Sequence, residues 1–277
     1  MALPEVEQPA VESLALTASF GALNQSGVSA ADIGLLTHSR IFDPTPDDCT
    51  TAPRLARLLG AKHAVALGVR QMSNGGAIAL QFAVAQMLAE IRLTHSLVVT
   101  ADVHGPEAVW GWMPETGTPL GDAATAVLLT RDPGALSIRS IASCSVTEEE
   151  ANWAARDPVA SVTTAANIFR VRRCVRTAVE MVFADADIEP DDPRLSMVVG
   201  PRLRPAFIEA MFHGLLPAAE YVDLSGQSGH LFAGDLAANL NYLRTERRPA
   251  PGEYALIVNI GVGFTVTMLL VRGEREE

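Results

Sequence analysis

The sequence predicts an α/β fold made of two related halves, and three observations carry this reading. Helix-like and strand-like segments alternate along all 277 residues, the pattern that buries central strands beneath helices. A helix, an acidic turn containing Asp-Ile and an apolar strand occur twice, with Asp32 and Asp187 at the same point of each copy. A second pair of segments, Gly121 to Arg131 and Gly261 to Arg272, shares a glycine start, small residues, an apolar run and a closing arginine. These echoes divide the chain into an N-terminal half, 1–134, and a C-terminal half, 135–277, jointed at Asp132-Pro133-Gly134, where Pro and Gly favour a turn.

Each element follows from local pattern. Leu14, Leu16, Phe20 and Leu23 recur at near-helical spacing between Ala10 and Asn24, and Gly27 supplies a stop. Ser29 to Ile33 is a capped turn, followed by a short strand, Ile33 to Thr37. Val65 to Gly76 reads as a buried strand and a sharp turn with Ser73 just before two glycines; Ala77 to Leu88 continues as a long apolar helix. The strand Ser96 to Ala101 precedes a loop with Trp110, Trp112 and Met113. An amphipathic helix, about Ala160 to Ala184, leads through Ala186 to Pro190 into the strand Leu195 to Val199. The glycine-rich stretch Leu224 to Asp235 opens a helix, Leu236 to Leu243. Tyr254 to Val271 is uncharged and nearly as long as the ~20 residues that cross a bilayer. Asn259, Gly261 and Gly263 interrupt it, and both flanks are β-branched, so two buried strands are expected.

Composition removes several classes. With 48% hydrophobic and 19% charged residues, the chain is neither disordered nor collagen-like. A net charge of −11 argues against nucleic acid, which needs clustered cations. Cys49, Cys144 and Cys174 form no CxxC or Cys/His spacing, so they are read as small core residues and no metal site is expected. Met1 to Ala10 carries Glu5, Glu7 and two prolines in place of a basic start and an apolar run, which points to a cytoplasmic protein rather than an exported or membrane-bound one.

The chemistry-bearing candidates are few. A side chain at a strand-to-helix turn sits at the positive end of the helix dipole, where free N–H groups can hold an oxyanion and glycines let a substrate approach. Ser73 occupies such a turn; as a serine it would serve equally as an N-cap. A serine nucleophile needs a base. Of the six histidines, His63 and His95 lie beside strand starts, whereas His230 stands in the glycine-rich loop five residues before Asp235. That pair has the form of a base and its orienter, or of a turn histidine and a helix cap.

Four segments in order resemble the ketoacyl-ACP synthase III group of the thiolase superfamily. They are the Ser73 turn with its Gly-Gly helix, Leu120-Gly-Asp-Ala-Ala-Thr-Ala126, Gly229-His-Leu-Phe-Ala-Gly-Asp235 and Gly261-Val-Gly-Phe-Thr265. The resemblance spans about residues 11 to 272 and implies a duplicated, thiolase-like αβαβα five-layer sandwich. It also implies departures. Ser73 stands where condensing members carry cysteine, Pro201 occupies the place of their histidine, and His230 falls where they have asparagine. The chain therefore resembles the divergent branch that transfers acyl groups in natural-product (polyketide-type) pathways, with a Ser73-His230-Asp235 triad. The resemblance further implies an oxyanion site from the Ser73 N–H and a glycine of Gly261 to Gly263. Trp110 and Trp112 are candidates for the acyl pocket or for core packing.

By the same resemblance no cofactor is tightly bound. The acyl group would arrive as a thioester on phosphopantetheine, carried by an acyl carrier protein or by CoA. A shortened start, relative to family members, favours the carrier protein. Arg202 and Arg204 are expected at the tunnel mouth as carrier contacts, and Arg170, Arg172, Arg173 and Arg176 cluster on one helix. A homodimer, or a heterodimer with a thiolase-fold homologue, is implied. A second reading competes with the acyltransferase: a non-catalytic subunit that pairs with an active ketoacyl synthase homologue.

Overall fold

The computed structural model describes residues 10–41, 51–103, 118–150 and 165–275. They form two compact units. The first takes the described residues within Met1–Ala108, Gly121–Pro133 and Leu231–Ala238, the second those within Val109–Leu120, Gly134–His230 and Asn239–Glu277.

The first unit is built on a four-stranded sheet of order β2-β1-β3-β4, from β1 (Leu35–Ser39), β2 (Val65–Val69), β3 (His95–Asp102) and β4 (Ala123–Thr130). β1 is central, parallel to both β2 and β3, and every residue of it is buried, as expected of a parallel strand covered on both faces. β4 runs antiparallel to β3. Helix α1 (Ala10–Ser26) packs on β3 and β4. Its buried ridge is Val11, Ala15, Ser19 and Leu23, whereas Phe20 is exposed and Leu14 and Leu16 are half-buried. Of the large residues that announced the helix, Leu23 lies on its contact line, Leu14 and Leu16 flank it and Phe20 faces away, the buried residues forming one i, i+4 row against the sheet. Ser29 caps the following 3₁₀ turn, Ala30–Asp32, by accepting a bond from the Ala31 N–H. α2 (Thr51–Leu59) buries Ala52, Leu55, Ala56 and Leu59, a helical stripe. α3 (Gly75–Ala89) ends where Arg131 donates to the carbonyls of Met87 and, at 3.1 Å, Leu93.

The second unit holds a five-stranded sheet of order β5-β9-β8-β6-β7, from β5 (Leu136–Ser145), β6 (Leu195–Val199), β7 (Glu220–Val222), β8 (Tyr254–Gly261) and β9 (Thr265–Gly273). α4 (Ala165–Ala186) packs on β5 and β9 through Val171, Cys174, Val175, Ala178 and Val182. α5 (Pro205–Phe212) begins with Pro at its first position, where the missing N–H costs nothing. α6 (Asp235–Thr245) follows the glycine-rich stretch. The uncharged run is two strands, β8 and β9, antiparallel from Tyr254↔Arg272 to Gly261↔Thr265. Among the described residues no helix is long and apolar enough to cross a membrane. Truncating a side chain as buried as Leu256 to alanine would cost about 2–5 kcal/mol.

The two sheets repeat one plan. β1, β2, β3 and β4 pair as β6, β7, β8 and β9 do, parallel in the first two pairings and antiparallel in the third. The duplicated α/β plan read from the echoes is therefore the fold. One strand differs: β5 covers the outer edge of β9, while β4 has no such neighbour among the described residues. β9 is accordingly buried along nearly its whole length and β4 only half-buried.

Candidate active site

The strand β2 ends at Val69, and the chain turns through Arg70 to Asn74 into α3. Met72 has a positive φ of 47°, a left-handed conformation that is uncommon for a residue with a Cβ. The bend just before Ser73 is thus carried by methionine, not glycine. Ser73 is buried at 4% exposure. It is not the helix cap: Asn74 holds that position, with its side-chain amide donating to Gln71 Oε1 at 3.0 Å.

The two glycines after the turn were expected to admit a substrate; instead they admit protein. A Cβ on Gly75 would overlap Ser39 Oγ, and a Cβ on Gly76 would overlap the Ala233 carbonyl oxygen. The first turn of α3 is therefore the seat of the segment Leu231 to Asp235. That segment is secured from two further directions. Asp235 Oδ1 accepts the Leu231 N–H at 2.7 Å, and Asp102 Oδ2 accepts the Ala233 N–H at 3.2 Å. Asp102 Oδ1 also accepts the Ile41 N–H at 2.7 Å. Asp102 is 1% exposed, and bonds from N–H groups to a buried carboxylate contribute about 1.5–3 kcal/mol each. Asp102 escaped the sequence reading, although a lone carboxylate closing the apolar run Ser96 to Ala101 was a visible signal.

His230, in the second unit, is 2% exposed. Gly229 before it adopts φ +71°, which glycine reaches without steric cost. The His230 N–H donates to the Pro119 carbonyl at 2.8 Å. Asp235 stands at the start of α6, and its carboxylate accepts the N–H of Leu231, which precedes that helix. Gly261 pairs with Thr265 to close the β8–β9 hairpin, and Gly263 has φ +108°.

The arginines divide. Arg202, expected as a carrier contact, is 5% exposed, and its guanidinium donates to Asn239 Oδ1 at 3.0 Å and Ser228 Oγ at 2.7 Å. It is an internal strut, because a buried guanidinium must satisfy its donors within the protein. Arg204 is exposed. On α4, Arg170 pairs with Glu149 and Arg172 donates to the His213 carbonyl, whereas Arg173 and Arg176 are exposed. Trp110 and Trp112, with Met113, His104 and Cys49, lie outside the described residues. Cys174 is buried and Cys144 half-buried in the core beneath α4; burial, with a hydrogen bond that the Cys174 thiol donates to Cys144, pushes the Cys174 thiol pKa up.

The architecture defines a class, the thiolase-like fold. The acyltransferase ChlB3 superposes with a TM-score of 0.84 at 25% identity, over 99% of this chain and 86% of that one. Its fold is that of ketoacyl-ACP synthase III-like proteins, the acyltransferase ChlB3 among them. Two further solved structures share the fold. The 3-oxoacyl-[acyl-carrier-protein] synthase III of Aquifex aeolicus gives a TM-score of 0.74 at 18% identity, over 98% of this chain and 87% of that one. The priming β-ketosynthase of the R1128 polyketide pathway gives 0.76 at 19%, over 99% and 85%. No family model matches the sequence, and no curated protein matches it.

Proposed function

We propose that the protein is an acyltransferase of a natural-product pathway that works through an acyl-Ser73 intermediate. Ser73 Oγ attacks the carbonyl of an acyl thioester while His230 takes its proton. The tetrahedral intermediate collapses with cleavage of the C–S bond, and the departing thiolate receives that proton. An acceptor hydroxyl or amine then attacks the ester carbonyl; His230 takes its proton and returns it to Ser73 Oγ as the ester C–O bond breaks. Asp235 holds the imidazole tautomer, and the Ser73 N–H with a glycine N–H of the Gly261 to Gly263 turn stabilises the oxyanion.

The single observation that carries this reading is the seating of Ala233 on Gly76. It fixes the segment that directly follows His230 onto the helix turn that directly follows Ser73. The likeness to the acyltransferase ChlB3 supports the same class.

An acyl carrier protein is the favoured donor. Phe169, Arg173 and Arg176 recur at i, i+4 and i+7 on α4, all exposed, and a basic face around an exposed ring suits an acidic carrier. A dimer would use the edge strand β2, whose Val-Ala-Leu-Gly-Val sequence has neither charge nor proline and exposes Val65. The alternative, a non-catalytic partner subunit, is favoured by Pro201 at the position of the family histidine. Intact-mass analysis after incubation with acyl-CoA and acyl-carrier thioesters separates the two. An adduct on the wild type that is absent from Ser73→Ala supports the transferase. No adduct from any thioester, with a homologous chain copurifying, overturns it.

A further inference from the structure

We propose that Arg202 is a positioning residue for His230, an inference that rests on the reading of His230 as the base. β6 ends at Val199, and the turn Gly200-Pro201-Arg202 carries the guanidinium inward. Its Nη1 donates to Ser228 Oγ at 2.7 Å and to the Leu224 carbonyl at 3.4 Å. These two acceptors lie at either end of the single helical turn Ser225–Ser228, which leads straight into Gly229 and His230. Ser228 Oγ in turn donates to the Gly229 carbonyl at 2.9 Å, so the hydroxyl links the guanidinium to the peptide bond that precedes His230.

The other arm of the fork reaches α6. Arg202 Nε donates to Asn239 Oδ1 at 3.0 Å, and Asn239 Nδ2 donates to the Gly200 carbonyl at 3.0 Å. Asn239 is wholly buried and lies one turn along α6 from Asp235. One cation therefore ties the loop that ends in the base to the helix that begins with its orienter. Lysine cannot replace it, because a single ammonium lacks the planar fork that addresses acceptors on two sides. Its burial and internal bonds favour this role over the carrier contact expected of Arg202.

The test uses the full-length protein, with Arg202→Lys and the milder Ser228→Ala, which keeps the guanidinium and removes only its link to the peptide before His230. Acylation is followed as the burst of nitrophenolate from p-nitrophenyl acetate. Both variants should lower the acylation rate constant by about 10- to 100-fold at an unchanged half-saturation concentration, the cost of displacing a catalytic group by a fraction of an ångström to one ångström. Independently of activity, the His230 ring ¹H–¹³C cross-peak, assigned with His230→Gln, should move in both variants on a Ser73→Ala background. A cross-peak that stays in place overturns the proposal, whether or not the wild type acylates. A loss confined to half-saturation by an acyl carrier protein and abolished by salt also overturns it, since that is the behaviour of a surface contact. If the wild type shows no burst while the cross-peak moves, the positioning of His230 stands and the acyl-Ser73 reading falls.

Discussion

The carbonyl oxygen of Ala233 occupies the space in which a Cβ of residue 76 would stand. The obstacle is backbone, and it cannot swing away. Gly76→Ala is therefore expected to destabilise the protein by about 1–3 kcal/mol and to abolish acylation, as read by thermal unfolding and intact mass. A variant with the wild-type melting temperature and full acylation would show that the Leu231 to Asp235 segment is not seated on α3.

The neighbouring glycine gives a different outcome. Its obstacle is Ser39 Oγ, a buried hydroxyl with no hydrogen-bond partner among the described residues. Gly75→Ala alone should destabilise, Ser39→Ala alone should be neutral or slightly stabilising because it removes an unsatisfied group, and the double variant should recover most of the loss. A double-mutant cycle by denaturant unfolding measures the coupling, expected at about 0.5–3 kcal/mol; additive effects would refute the close approach.

Asp102→Asn leaves the shape intact but turns one of its two acceptor oxygens into a donor facing a backbone N–H, of Ile41 or of Ala233. A loss of about 2–4 kcal/mol is expected in urea unfolding. Asp102→Ala should cost a similar amount by leaving the buried Ala233 N–H and the half-buried Ile41 N–H without their acceptor. Unchanged midpoints for both variants would remove Asp102 from the support of this segment.

Two surface carboxylates set part of the acid limb of stability. Side-chain hydrogen bonds from Arg92 lower the Glu90 pKa from 4.5 to about 2, and those from Arg194 lower that of Asp192 from 3.8 to about 2. A folded pKa below the unfolded one means that the contribution is complete above the unfolded value and is lost as pH falls toward about 2. Glu90 lies at the surface with its side chain 45% exposed, so the effect there is small. Glu90→Gln should lower the melting temperature slightly at neutral pH, and the difference from wild type should vanish by about pH 2. A difference that persists there would point to packing instead.

Burial raises the pKa of the Cys174 thiol, which disfavours the thiolate that alkylating agents attack. At pH 8 iodoacetamide should leave Cys174 unmodified in the native protein and label it in urea, by peptide mass mapping. Rapid native labelling would contradict its place in the core beneath α4.

Much of this molecule is legible in its sequence because the signals are local. The Asp-Ile turns and the β-branched run broken at Gly261 and Gly263 each express a conformational preference that needs no distant partner, and the passage from an apolar strand through Ser73 to an apolar helix is a change of local pattern. They determined the α/β class, the repetition and the turn bearing the serine. The tertiary structure alone decided what those features touch. Gly75 and Gly76 make room for Ser39 and Ala233 rather than for a substrate, Arg202 turns inward to Ser228 and Asn239, and Asp102 gathers N–H groups from segments far apart in the chain. The physical reason is that a propensity belongs to one stretch of backbone, whereas close approach and the satisfaction of buried donors depend on which segments the fold brings together.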